Sequence, residues 1–152
     1  MLCARSQKGF TLLELIIAIA VMAILMAIAM PSFSTWRAQA SLKAEARQVL
    51  GSFQRARSEA VTRNTLIVLS FSEGSGSLAT WKISDSAYPD GAIAKGEMKN
   101  GVQISGVSFT DKKASVDARG LPLEGGSVAV TDGRSTYKIT LTAAGSVKIE
   151  RI

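Results

Sequence analysis

The residue with the clearest chemical consequence is Glu14, a carboxylate near the start of a long apolar segment. The segment runs from Phe10 to Met30 and is interrupted only by Thr11 and Glu14. A charged side chain at the centre of a membrane helix costs about 2.5–3.5 kcal/mol on insertion scales. Two explanations fit its presence: the carboxylate snorkels to the headgroups, or it pairs with a positive charge on a neighbouring molecule. The residues alone do not choose between them.

The apolar segment has the length of a membrane-spanning helix. As an α-helix, residues 10–30 would extend about 31 Å, close to the hydrocarbon thickness of a bilayer. An ordinary secretory signal peptide has a shorter apolar core followed by a small-residue cleavage site, and the residues around Met30 and Pro31 do not fit that pattern. The segment therefore predicts a single membrane span, with a plain signal anchor as an alternative.

The composition argues against catalysis. The 152-residue chain contains no histidine and one cysteine, Cys3, which lies before the apolar segment. Zinc sites and nucleophiles activated by histidine therefore lack their usual residues. The serines form no Ser-x-x-Lys or Gly-x-Ser-x-Gly pattern. We expect no enzymatic activity, no catalytic residue, no metal site and no cofactor.

The net charge of +6 is concentrated in one segment. Residues 37–63 contain six basic and two acidic side chains, whereas residues 64–152 contain ten basic and nine acidic ones. The basic character thus belongs to a segment that follows the apolar run. A nearly neutral distal region weakens the case for a nucleic-acid-binding protein.

Residues 31–63 predict an amphipathic helix. Apolar residues recur at alternating steps of four and three and share one face: Leu42, Ala46, Val49, Phe53, Ala56 and Ala60. Pro31 separates this helix from the apolar segment. Proline removes a backbone hydrogen bond and crowds the preceding turn, so we expect a kink or local unwinding there, unless Pro31 simply begins a new helix.

Residues 64–152 are rich in short β patterns. Strands are predicted at Thr65–Phe71, Leu78–Ile83, Gly101–Phe109, Ser127–Thr131, Tyr137–Thr142 and Ser146–Arg151, with Ala143–Gly145 as a hairpin loop. Asp85–Asn100 is expected to be irregular because of Pro89, Gly91 and Gly96, and Lys112–Lys113 to be a solvated turn. The fold class is α+β: a long bent N-terminal helix, half membrane and half amphipathic, packed on a small antiparallel β-sandwich or sheet domain.

The first motif is Lys8-Gly9-Phe10-Thr11-Leu12-Leu13-Glu14-Leu15. It resembles the class III signal of type IV pilins and pseudopilins. The resemblance implies that residues 1–9 are a leader removed by prepilin peptidase after Gly9, and that Phe10 becomes the N-methylated terminus. It also favours pairing of Glu14 with the amino group of a neighbouring subunit during assembly. Pro31 falls where such proteins carry a helix-bending proline.

A second motif is Phe53-Gln54-Arg55-Ala56-Arg57-Ser58-Glu59-Ala60-Val61-Thr62-Arg63-Asn64 followed by a strand. It resembles the pseudopilin H family, which includes the minor pilins FimT and FimU. The resemblance implies a minor subunit of a type IV pilus or a type II secretion pseudopilus. Its implied partners are other pilin or pseudopilin subunits, prepilin peptidase and the inner membrane platform. Its implied location is the inner membrane, single-pass, with residues 64–152 as a periplasmic β-rich domain.

Two alternatives remain. The first is a DNA-binding minor pilin of a DNA-uptake system, and the second is a signal-anchored protein with a stray motif. FimT-type pilins proposed to bind DNA carry a Gly-Arg-x-Arg element near the C-terminus. The corresponding stretch here has only Lys148 and Arg151, separated by Glu150. Nucleic acid is therefore a disfavoured partner that the sequence leaves open.

Overall fold

The structure is a computed structural model that describes residues 10–74 and 78–152, and only the backbone of residues 29–32. Within these residues a long helix precedes eight strands. The elements are α1 (Leu12–Arg63), β1 (Ile67–Ser72), β2 (Thr80–Asp85), β3 (Tyr88–Glu97), β4 (Gln103–Val107), a 3₁₀ turn (Thr110–Lys112), β5 (Lys113–Val116), β6 (Gly126–Thr131), β7 (Thr136–Leu141) and β8 (Val147–Arg151). The chain divides into two compact units, 1–37 and 38–152.

The described part of the first unit is helical from Leu12 onward, and its large apolar side chains are exposed on every side. A helix that is apolar all round belongs in a membrane or among other apolar helices. Within the described ranges, no single helix is long and apolar enough to cross a membrane. Residues 12–28 and 33–63, taken together as a pair, reach that length and composition.

In the second unit, α1 buries one stripe of side chains. The six residues of the predicted stripe are all at most 1% exposed: Leu42, Ala46, Val49, Phe53, Ala56 and Ala60. The predicted amphipathic face is therefore confirmed. Transfer of such apolar surface from water provides the main driving force for packing the helix on the sheets, at about 25 cal/mol per Å².

The helix ends at a left-handed residue. Asn64 has φ +53°, and the Thr65 amide donates a 3.3 Å hydrogen bond to the Ala60 carbonyl. This is the Schellman arrangement, in which asparagine is one of the few residues that adopts the required conformation at low cost. The chain leaves the helix here and enters β1.

The strands form two antiparallel four-stranded sheets. The first has the order β3-β2-β1-β5 and the second has the order β4-β6-β7-β8. Inward-facing residues of both sheets join the helix stripe in one buried cluster. At its centre, the ring of Phe53 lies 5.7 Å from that of Phe71 and 5.9 Å from that of Phe109. The α+β fold predicted from the sequence is confirmed.

The prediction for Asp85–Asn100 is wrong, because most of this stretch forms β3. Pro89 and the two glycines suggest irregular structure, but β3 is an edge strand, where a missing backbone donor need not break a ladder bond. Gly96 has a specific role, since a Cβ there would lie 2.5 Å from the ring of Trp81. The pairing of β3 with β2 changes register on both sides of Ser84. Such bulges are common at sheet edges, where they hinder pairing with a strand of another molecule.

The short strand β5 was not predicted from the sequence. Lys112 does lie in the 3₁₀ turn, where its Nζ forms a 2.8 Å ion pair with Glu73, but Lys113 begins β5. This four-residue strand pairs with β1 from Ile67 to Ser70. A strand of four residues forms because it pairs with its neighbour in the sheet, and it is too short to show the alternation of apolar and polar residues that predicts a strand.

Arg57 links the helix to two loops of the second unit. Its Nε donates a 2.8 Å hydrogen bond to the Gly120 carbonyl, and its Nη1 donates a 2.7 Å bond to the Gly145 carbonyl. Gly145 lies in the predicted β7–β8 hairpin loop at φ +82°, and a Cβ there would approach the guanidinium to 3.3 Å. The planar guanidinium with its fixed donors suits this double contact.

We expect Arg57→Ala to lower the free energy of unfolding by about 2–3 kcal/mol, because two part-buried carbonyls lose a charged donor. Arg57→Lys should recover only part of the loss, since an ammonium cannot reproduce the fork geometry. The measurement is urea unfolding of the full chain in detergent, with every variant made in a Trp36→Phe background so that the fluorescence reports Trp81 alone. Arg55→Ala is the control, because this exposed neighbour forms only a 3.9 Å ion pair. Equal effects of the two alanine variants would contradict the role assigned to Arg57.

Candidate assembly site

Thr11 caps the start of α1. Its Oγ1 accepts a 3.2 Å hydrogen bond from the Glu14 amide, and its carbonyl accepts a 3.2 Å bond from the Leu15 amide. A threonine at this position satisfies one of the free amides of the first turn and stabilises a helix by about 1 kcal/mol. The helix start is therefore defined by Thr11, one residue after Phe10.

The position of Glu14 is set by this cap. It lies three residues after the capping threonine, in the first turn of the helix, where the helix dipole favours a negative charge by about 0.3–1 kcal/mol. The side chain is exposed, and no basic side chain forms an ion pair with it within residues 10–74 and 78–152. The dipole offsets only part of the cost of a carboxylate in an apolar setting.

The surroundings of Glu14 are apolar. Phe10 is 83% exposed, and every large apolar side chain from Leu12 to Ile28 is at least half exposed. Monomeric soluble proteins rarely expose a continuous apolar surface of this extent. The arrangement therefore combines an uncompensated carboxylate, a capped helix start and an apolar surface that lacks a partner in the isolated chain.

The other predicted site residues are described less completely. Gly9, the proposed cleavage position, lies outside the described residues, and Phe10 is the first described residue. The backbone at Pro31 belongs to α1, but the side chains around it lie outside the description. The kink at Pro31 stays a prediction.

A second carboxylate of α1, Glu45, is buried in the second unit. It is 8% exposed, and its Oε2 has no hydrogen-bond partner among the described residues. Burial raises the pKa of Glu45, while a hydrogen bond from the Lys99 amide and the charge of Lys99 oppose that rise. Asn100, in the same turn, donates a 3.0 Å hydrogen bond to the Ser41 hydroxyl and ties the turn to the helix.

Two of these features were missed from the sequence although signals were present. Thr11 and Glu14 have the Thr-x-x-Glu spacing of a capping box. Glu45 is three residues after Leu42 and four before Val49, which places it on the buried stripe. No group of three or more Cys, Asp or Glu side chains in the described parts of the chain is arranged to hold a metal ion.

The C-terminal basic residues lie on strand β8. Lys148 and Glu150 alternate with the half-buried Val147 and Ile149 along this edge strand, and Arg151 follows Glu150 at its end. Arg151 donates a 3.0 Å hydrogen bond from Nη2 to the Ser135 hydroxyl. The carboxylate between the two cations reduces their combined attraction for a phosphate backbone.

The fold resembles those of a solved minor pilin and a solved minor pseudopilin. The type IV minor pilin FimU of Pseudomonas aeruginosa superposes with a TM-score of 0.58 at 16% identity, over 74% of this chain and 90% of that protein. The minor pseudopilin EpsH of the type 2 secretion system of Vibrio cholerae superposes with a TM-score of 0.57 at 10% identity, over 73% and 97%. At such identities, the likeness shows the α+β pilin fold alone.

The sequence comparisons define the family. Residues 4–30 match the prokaryotic N-terminal methylation motif, and residues 45–145 match the type II transport protein GspH family. The chain belongs to the type II transport protein GspH family. It is also 26% identical to the pilin-like protein PilA1 of Thermus thermophilus, over 95% of this chain and 99% of that protein. It is thus a minor pilin or pseudopilin with an N-terminal methylation motif, and this family membership together with its apolar N-terminal helix indicates a membrane-anchored subunit.

We expect Glu45→Gln to raise the stability of the full chain at neutral pH. Because the pKa of Glu45 is raised on folding, the folded chain holds this proton at pH values where the unfolded chain has lost it. The resulting destabilisation is complete above the folded-state pKa and disappears as the pH falls below the ordinary value of 4.5. The difference in urea midpoint between the variant and the wild type should therefore shrink from neutral pH to about pH 4.

The matched control for this measurement is Glu59→Gln. Glu59 lies on the same helix and forms a 2.8 Å ion pair with Arg63 at the surface. Loss of such a pair should cost no more than about 0.5 kcal/mol. A stabilising effect of Glu45→Gln that is independent of pH would exclude titration of Glu45 as its cause.

Proposed function

We propose that this chain is a non-enzymatic minor subunit of a type IV filament, either a pilus or a type II secretion pseudopilus. The observation that carries the proposal is the N-terminal methylation motif over residues 4–30, which includes the start of α1 and Glu14 in its first turn. In this proposal prepilin peptidase cuts between Gly9 and Phe10 and methylates the new amino group of Phe10. The mature chain then starts at the residue before the Thr11 cap.

The proposed assembly step pairs two charges at the start of the apolar helix. The new ammonium at Phe10 of one subunit meets the Glu14 carboxylate of its neighbour. Both charges lie next to exposed apolar side chains, where water is scarce and an unpaired charge is costly. The pairing therefore favours one register between neighbouring helices over those that leave a charge unmatched.

The proposed location is the inner membrane, with residues 10–30 crossing once and residues 64–152 in the periplasm. The membrane helix stores the subunit until it enters the filament, where helix–helix packing replaces lipid contacts. The β-rich domain would contact other subunits or cargo, and the platform in the inner membrane would drive the transfer. Pro31 would bend the helix between these two regions.

DNA binding in an uptake system gains no support from the site described above. The C-terminal cations are separated by Glu150, and Arg151 is hydrogen-bonded to Ser135. Filament assembly is supported by the family match, by the motif and by the exposed apolar helix, and it is the function we propose.

We expect Gly9→Val to leave the leader attached, because a branched side chain before the cut would crowd the scissile peptide. The wild type should yield a chain that begins at methylated Phe10. Intact-mass spectrometry of membrane-extracted protein, from cells with an active peptidase, measures both outcomes. Gly9→Ala is the control, since a single methyl group should leave most of the cleavage in place. An uncut wild-type chain under these conditions would refute the processing step.

We expect Glu14→Leu to preserve cleavage but to reduce the fraction of subunit recovered in sheared filaments. The Glu14 backbone amide, which bonds to Thr11, is unchanged by the substitution, so the helix start should persist. The lost carboxylate leaves a neighbour's ammonium unpaired in an apolar setting. The measurement is the ratio of filament-bound to cleaved protein. Thr11→Val is the control, because it removes the cap and keeps the carboxylate.

The comparison separates two causes. If Thr11→Val lowers the ratio as much as Glu14→Leu, the helix start rather than the charge controls assembly. If Glu14→Leu leaves the ratio unchanged, Glu14 snorkels to the headgroups and has no pairing role.

A further inference from the structure

Two aromatic side chains of the first unit, Phe33 and Trp36, have no role in the assembly site. Their ring centroids are 5.8 Å apart and their planes are inclined by 33°. Phe33 is 61% exposed and Trp36 is 64% exposed. Residues three apart on a helix share a face, so the two rings form one exposed aromatic surface. Such a surface on an isolated chain indicates a contact that the chain itself does not supply.

The position of this surface along α1 points to the membrane interface. Trp36 follows the end of the apolar segment at Met30 by six residues, which is about 9 Å of helix rise. The polar layers of a bilayer add about 5–8 Å on each side of its ~30 Å hydrocarbon core. Since Cα–Cβ bonds in a helix tilt toward its N-terminus, both rings extend back toward Met30. The aromatic surface thus coincides in depth with the headgroup layer.

The chemistry of the surface suits that layer. Tryptophan has a large apolar body and one N–H donor, and it is enriched where one end of a side chain is in lipid and the other in water. The next residue, Arg37, is exposed. A guanidinium binds phosphate through two parallel hydrogen bonds, and its aliphatic stem packs on apolar surface. The Trp36 ring can therefore lie among the glycerol groups of one lipid layer, while the Arg37 guanidinium binds the phosphates of the same layer.

We infer that Phe33, Trp36 and Arg37 form an interfacial anchor that binds phospholipid headgroups on the side of the membrane where the apolar helix ends. The inference rests on the proposed membrane-stored subunit and adds a lipid-binding surface to it. The anchor also sets depth. Glu14 is 22 residues before Trp36, about 33 Å along a helix, so the anchor holds the carboxylate near the opposite boundary of the hydrocarbon core.

The two tryptophans of the chain allow a direct test. Trp81 is 6% exposed in β2, whereas Trp36 is exposed on the helix. The full chain is reconstituted in vesicles of phosphatidylcholine and phosphatidylglycerol that contain a spin label at the headgroup or bromine near the chain ends. The difference in emission between the wild type and Trp36→Phe isolates Trp36, because the variant retains Trp81 alone. This substitution at an exposed position should leave the fold intact.

We expect the headgroup label to remove most of the Trp36 emission and the deep bromine label to remove little of it. Flotation of the vesicles reports membrane anchoring separately. A chain that floats while Trp36 escapes both labels would overturn the interfacial anchor and leave the proposed function standing. If the escape of Trp36 from the labels depends on the protein-to-lipid ratio, the aromatic surface contacts a second copy of the chain, and the interfacial anchor would again be overturned. A chain that fails to float would refute the membrane anchor and the inference together.

Discussion

The structure depends on a helix that satisfies its own backbone hydrogen bonds. Because of this property, one helix continues through residues 12–63 although its first part has apolar side chains all round and its second part has only one apolar face. Residues 15–28 are apolar on every side, and residues 38–63 bury a single stripe. Neither pattern requires a change of backbone structure. The two described ends of the helix carry special residues, Thr11 as the cap and Asn64 in the left-handed conformation.

The amphipathic part of the helix was predictable because its signal is local. The stripe repeats every three or four residues, and each member is buried. The alternating strands β7 and β8 were predictable for a similar reason, since both pair along their whole length in one register. Strand β3 was not, because Pro89 is tolerated at an edge and Gly96 is required by the Trp81 ring, and a local pattern shows neither. The same limit applies to β5, whose four residues are held by β1.

The candidate site was predictable where it rests on a charge in an apolar run, which is why Glu14 stands out from sequence alone. The spacing of Glu45 places it on the stripe, but its contact with the turn that contains Lys99 and Asn100 could not be predicted, because that turn is far away in sequence. Arg57 was missed for a related reason. Its two acceptors, the Gly120 and Gly145 carbonyls, are far away in sequence, and only the folded domain brings them to the guanidinium.

The hydrophobic effect cannot by itself decide whether such a subunit remains in the membrane or enters a filament. Lipid tails and neighbouring apolar helices remove the same surface from water, so this contribution largely cancels between the two states. The difference must come from packing and from polar groups that change partners. In this chain those groups lie at the two ends of the apolar segment, the Glu14 carboxylate at one end and the exposed Trp36 and Arg37 at the other. In the proposed function, a subunit whose apolar surface is buried in both states would therefore be controlled by the few polar contacts at its boundaries.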